Sequence, residues 1–165
     1  MSVILIGMPS CGKSTVGVLL AKKLGYRFVD SDLLIQEEQG RLLHDIIAQD
    51  GIDGFIDIEN KANSEIKEKR AVISTGGSVI YGKEAMENLA LLGKIIYLRI
   101  SYETMTARLG DYVHRGVVLR NGYTLRDMYD EREPLYARYA DITVDCGDSI
   151  TETLERIAAE LGLDT

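Results

Sequence analysis

Directly after the apolar run Val3-Ile4-Leu5-Ile6 the chain reads Gly7-Met8-Pro9-Ser10-Cys11-Gly12-Lys13-Ser14, and then the amphipathic run 16–24. The spacing is G-x-x-x-x-G-K-S. A buried strand, a glycine-containing loop and a helix N-terminus, in that order, turn backbone N–H groups inward around a polyphosphate. Lys13 is placed to reach the β- and γ-phosphates, and Ser14 to offer its hydroxyl to Mg²⁺. A plain glycine turn would explain the loop alone, but not the strand before it and the helix after it. One short stretch thus fixes how the fold opens and the class of ligand it takes, a nucleotide.

The remainder continues the same alternation. Segments 3–6, 27–29, 71–74, 95–100 and 142–144 read as strands. Segments 14–24, 31–39, 42–49, 52–67, 83–91, 102–109, 124–139 and 150–161 read as helices. The strands are too apolar for a half-exposed sheet, which implies an α/β fold with a parallel sheet covered on both faces. No repeat, linker or low-complexity tract divides the chain, so 1–165 is expected to be a single domain. The stretch 110–123 lacks periodicity and carries His114, Arg115 and Arg120, which suggests a mobile lid. His44 and His114 are read as a surface or packed residue and a solvated loop residue.

Composition removes several classes of function. A formal charge of −7 argues against nucleic acid as a partner. No apolar run approaches the length of a membrane span, and because the chain opens straight into a core strand, no signal peptide is expected. A cytoplasmic monomer acting on a small molecule is expected. Cys11 and Cys146 make neither a disulfide framework nor a metal site. Cys11 is read as an inert small loop residue, with oxidation of a thiol beside a helix N-terminus as the alternative.

Phe28-Val29-Asp30-Ser31-Asp32 puts two carboxylates at the C-terminal end of the second strand, where open parallel sheets bind ligands. Phosphoryl transfer uses one carboxylate in the metal shell and often another to orient or deprotonate the attacking hydroxyl. The competing assignment gives one aspartate to capping the next helix and leaves the other solvated. Thr75-Gly76-Gly77-Ser78 allows close backbone approach to a ligand, or is a tight turn. In Arg132-Glu133-Pro134-Leu135-Tyr136 the arginine points into the crevice or pairs with Asp130, and Pro134 should start a new turn or kink the helix.

In order and spacing, these elements resemble the shikimate kinase family over nearly the whole chain. The resemblance is carried by the loop 7–15, Asp30-x-Asp32, Gly40-Arg41 through Asp50-Gly51, and Phe55…Glu59. It continues with Thr75-Gly76-Gly77, the strand 95–98, and Arg132 to Tyr136 followed by Ala140-Asp141. It implies a three-layer α/β/α P-loop kinase fold, with a five-stranded parallel sheet in the order 2-3-1-4-5. It implies ATP and Mg²⁺, and phosphorylation of shikimate to shikimate 3-phosphate. Gly7, Pro9, Ser10, Cys11, Gly12, Lys13, Ser14, Thr15 and Arg108 would contact the nucleotide, and Ser14 and Asp30 the metal. Lys13, Asp32 as base and Arg115 as lid arginine would be catalytic. Asp32, position 56, Gly76, Gly77 and Arg132 would hold the acceptor, within a region spanning about 31–63.

Three departures from the family pattern stand out. The family reads F-R-x-x-E where this chain has Phe55-Ile56-Asp57-Ile58-Glu59, so Ile56 replaces an arginine of the carboxylate clamp. The glycine triplet ends in Ser78, and the lid phrase R-P-L-L becomes Arg115-Gly116-Val117-Val118. Gly116 is expected to loosen the lid base. Two of the three fall in the acceptor site while the ATP machinery is intact. That asymmetry leaves open a less anionic polyol as acceptor, with Asn60 and Asn63 on the face of Ile56 reading its hydroxyls. A non-catalytic nucleotide switch is the remaining alternative, but Asp32 favours catalysis.

Overall fold

The computed structural model describes residues 1–110 and 116–163. Residues 111–115 of the segment 110–123 read as a lid, His114 and Arg115 among them, lie outside the described residues. Among them, five strands form one sheet: Ser2–Ile6 (β1), Arg27–Asp30 (β2), Ala71–Ser74 (β3), Gly93–Arg99 (β4) and Ile142–Asp145 (β5). Every pairing is parallel and the order is β2-β3-β1-β4-β5. β1 and β3 are buried at every position, as strands covered on both faces must be.

The helices are Lys13–Leu24 (α1), Ser31–Gln39 (α2), Leu43–Ser64 (α3), Lys83–Leu92 (α4), Tyr102–Leu109 (α5), Leu125–Tyr139 (α6) and Ile150–Glu160 (α7). The two expected helices 42–49 and 52–67 meet as α3, broken at Gly51, whose φ of 76° and ψ of 175° interrupt the turn. A single 3₁₀ turn at Val79–Tyr81 precedes α4 and was not visible in the periodicity. Pro134 does not start a new helix: α6 runs through it. The missing N–H falls mid-helix, and burial of Tyr129, Arg132 and Tyr136 along one face holds the helix together.

Two apolar clusters position the site. The larger is the sheet core, with Ile4, Leu5, Ile73, Ile96 and Tyr97 at its centre. The smaller joins Ile35 of α2, Ile46, Phe55 and Ala62 of α3, and Val118 from the segment leading into α6. The second cluster stands beyond the carboxyl ends of β1, β2 and β3 and frames one side of the crevice there.

Candidate active site

β1 ends in the loop that makes the floor of the crevice. Ser10 and Gly12 adopt positive φ, 66° and 96°, and so curl the loop around the start of α1. Lys13, only 7 % exposed, folds back so that Nζ donates to the Gly7 and Met8 carbonyls at 2.8 Å each. Its Nζ also lies 3.6 Å from Cys11 Sγ. Cys11 is buried beneath the loop.

Asp30 closes β2 and caps α2: its Oδ1 accepts from Asp32 N at 2.9 Å and from Leu33 N at 3.4 Å. The capping assignment and the metal-shell assignment are not alternatives, because Oδ2 of the same side chain accepts from Ser14 Oγ at 3.1 Å. Ser14 Oγ is also 3.4 Å from Ser74 Oγ, at the end of β3. Three oxygen-bearing side chains from three elements therefore meet where the phosphate loop joins α1. Hard oxygens, few in number and beside a phosphate cradle, suit Mg²⁺ better than a metal that wants an all-protein cage. Ser74 escaped the sequence reading, since nothing in its neighbours marks it as more than the last strand residue.

A cavity of about 250 Å³ opens over this floor. It brings together Pro9, Ser10, Gly12, Lys13, Ser14, Thr15, Asp32, Gly76, Gly77 and Arg132, all expected at the site. Burial raises the Asp32 carboxyl to about 6, with the Asp30 charge adding to the shift and Lys13 opposing it. Opposite stands Arg132 on α6, 2 % exposed. Its Nη2 donates to the Val118 carbonyl at 2.6 Å, its guanidinium lies 5.6 Å from the Tyr81 ring centre, and Nε has no partner. Arg132 pairs with neither Asp130 nor any other carboxylate among the described residues. Tyr136, one turn on, donates to the Gly77 carbonyl and pins the glycine turn to α6.

Other expected residues stand outside the cavity. Gly7 lies beneath the loop, where a Cβ would come 2.6 Å from the Leu98 carbonyl oxygen. Arg108 of α5 reaches the segment after β5, 3.4 Å from the Gly147 carbonyl and 3.5 Å from Asp148. Ile56 lines a smaller adjoining cavity with Tyr81, Arg120 and Glu131, and Arg132 and Val118 form the wall between the two. Asn60 and Asn63 do not read an acceptor. Asn60 Oδ1 accepts from Ala85 N at 2.9 Å and its Nδ2 donates to Glu84, so it fastens α3 to the start of α4. Asn63 is fully buried and donates to the Glu59 carbonyl at 2.9 Å. The helical spacing was right but that part of the face packs on α4.

Glu59 is the residue the sequence reading passed over. It lines the main cavity at 2 % exposure, and Ser78 Oγ donates to its Oε1 at 2.6 Å. Burial pushes its carboxyl up to about 8, against the pull of the Ser78 hydrogen bond. A Cβ on Gly76 would come 2.5 Å from Glu59 Oε2 and 2.8 Å from Asp32 Oδ1. Only glycine lets the backbone pass between the two carboxyls.

Known proteins resemble this chain in sequence and fold. The family model described as shikimate kinase matches residues 9–162. The shikimate kinase of Persephonella marina is 35 % identical over 144 residues, 87 % of each chain. That of Clostridium botulinum strain Alaska E43 is 36 % identical over 157 residues, 94 % of this chain and 93 % of its own. The structure of Acinetobacter baumannii shikimate kinase in complex with shikimate superposes with a TM-score of 0.88 at 28 % identity, covering 98 % of this chain and 93 % of that one. The Aquifex aeolicus enzyme gives 0.84 at 30 % identity, covering 98 % and 96 %. With a phosphate loop, an ordered aspartate pair and a buried arginine around one crevice, and kinship over nearly its full length, the chain belongs to the shikimate kinase family.

Proposed function

We propose that this kinase transfers the γ-phosphoryl group of ATP to a hydroxyl of shikimate. The observation that carries the reading is Arg132. A buried guanidinium without a carboxylate partner is costly unless its task is to receive an anion. Arg132 shares its cavity with Lys13 and Asp32, so a carboxylate held at one wall presents its ring hydroxyls toward the phosphate loop. One charge-assisted arginine contact contributes about 1.5–3 kcal/mol. With Ile56 in place of a second arginine, shikimate is held by that single cation and by its hydroxyls.

Asp32 orients the attacking hydroxyl and accepts its proton, a task that needs the ionised carboxylate. Lys13 leaves the Gly7 and Met8 carbonyls to meet the β- and γ-phosphates, and Gly76 and Gly77 present backbone to the acceptor. The loop residues Pro9, Ser10, Gly12 and Thr15 wrap the nucleotide, with Gly7 and Cys11 supporting them from beneath, and Arg108 lies on the base side. Arg115, outside the described residues, is the lid cation in this scheme. Ser14 and Asp30 would hold Mg²⁺, which would offset the charge of the phosphates.

ADP release from Mg·ATP, followed with and without shikimate, tests the reading. Turnover is expected to require shikimate and to fall about 10²- to 10⁴-fold in Asp32→Ala with ATP binding retained. Equal ADP release with and without shikimate would contradict it.

A further inference from the structure

The F-R-x-x-E pattern puts an arginine three residues before the glutamate, one helical turn away on the same face. Here that position is Ile56, and no cation stands one turn from Glu59 on its own helix. Its partner is instead Ser78, itself a departure from the glycine triplet, whose Oγ holds Oε1 at 2.6 Å. The two departures thus belong together: one removes a neighbour of Glu59 and the other supplies a new one. What remains is Oε2, buried in a residue that lines the acceptor cavity and left without a hydrogen-bond partner. A buried carboxyl oxygen in that state is destabilising unless something completes it.

The geometry points to Glu59 as a second carboxyl that reads the acceptor: its Oε2 hydrogen-bonds a ring hydroxyl adjacent to the one oriented by Asp32, with Ser78 fixing the carboxyl for that contact. Gly76 supports the pairing, since a Cβ on it would stand 2.5 Å from Glu59 Oε2 and 2.8 Å from Asp32 Oδ1, which sets the two carboxyls side by side across its backbone. Two carboxyls flanking one glycine match two neighbouring hydroxyls of a diol. Burial pushes the Glu59 carboxyl up to about 8, which favours its neutral form near pH 7 and lessens repulsion against an anionic acceptor. A ring hydroxyl both donates and accepts, so it completes a neutral acid as well as a carboxylate. Recognition of this kind shifts part of the acceptor's hold from its carboxylate to its hydroxyls, offsetting the arginine absent at Ile56.

This inference rests on shikimate as acceptor, and its test separates the two. KM for acceptor and for ATP, and kcat, are measured for the wild-type chain, Glu59→Met, Glu59→Gln and Ser78→Ala. The acceptors are shikimate and the two analogues that each lack one hydroxyl other than the phosphorylated one. Glu59→Met is expected to raise the shikimate KM about ten- to hundredfold with the ATP KM within about twofold. Removing the adjacent hydroxyl should cost the wild type a similar factor and cost Glu59→Met almost nothing, a coupling that a packing role would not produce. Glu59→Gln, which keeps the bond from Ser78, should recover most of the loss. Should Glu59→Met not fold, Ser78→Ala gives the same cycle in weaker form. Equal deoxy penalties in an active wild type and its variants would overturn the role of Glu59 alone. A wild type that turns over no shikimate would overturn the acceptor assignment and this role with it.

Discussion

Asp32 and Glu59 present the same chemical group to one cavity with different histories. Asp32 was visible two residues after Asp30 at a strand end, a local pattern with a local meaning. Glu59 was visible only as a letter in a motif, because what makes it part of the site is tertiary: a serine from beyond β3, a glycine that lets the backbone pass, and burial. Arg132 is intermediate, since its position was legible but its isolation from every described carboxylate was not. Both carboxyls are raised above their unfolded values, so the folded state binds their protons more tightly than the unfolded state does. For Glu59 the window runs from about 4.5 to about 8. Stability is therefore full below that window and falls as pH rises through it, by up to about 1.4 kcal/mol per pH unit for a single group. Denaturant midpoints measured from pH 5 to 8.5 should fall in the wild type and flatten in Glu59→Gln. Parallel slopes for the two proteins would show that Glu59 ionises no differently on folding.

The strand–loop–helix at the N-terminus could be read at once, because the apolar run, the glycine loop and the amphipathic helix are contiguous. The elements around the acceptor were harder. The periodicity of α3 predicts which positions share a face, yet nothing in it says that Asn60 and Asn63 pack on α4 while Phe55 and Glu59 face the crevice. The lid base also acquires a reason. Gly116 is not simply a looser substitute for proline: it has a φ of +67°, and a Cβ there would come 2.6 Å from Leu43 Cβ. Proline is fixed near −65°, so restoring the family residue would force this segment off α3. Gly116→Pro is expected to lower stability by about 1–3 kcal/mol and to raise the acceptor KM, because Val117 and Val118 line the cavity beside it. An unchanged thermal midpoint would mean that the segment re-forms around proline without cost.

The sheet order β2-β3-β1-β4-β5 gathers the site at one edge of the molecule. It places the ends of β1, β2 and β3 side by side, which brings the phosphate loop, the aspartate pair and the glycine turn into one crevice. α6 returns from the far side to close that crevice with Arg132. This order followed from the resemblance and not from the strand pattern, which fixes parallel pairing but not sequence in space. No helix among the described residues is long and apolar enough to cross a membrane. The central claim, that nucleotide and acceptor meet here for phosphoryl transfer, is met most directly by ³¹P NMR of the protein with Mg·ATP and shikimate. The account predicts that the γ-phosphate signal is replaced by one new phosphomonoester and ADP, with no matching rise in inorganic phosphate. Growth of inorganic phosphate alone, at a rate indifferent to shikimate, would contradict it.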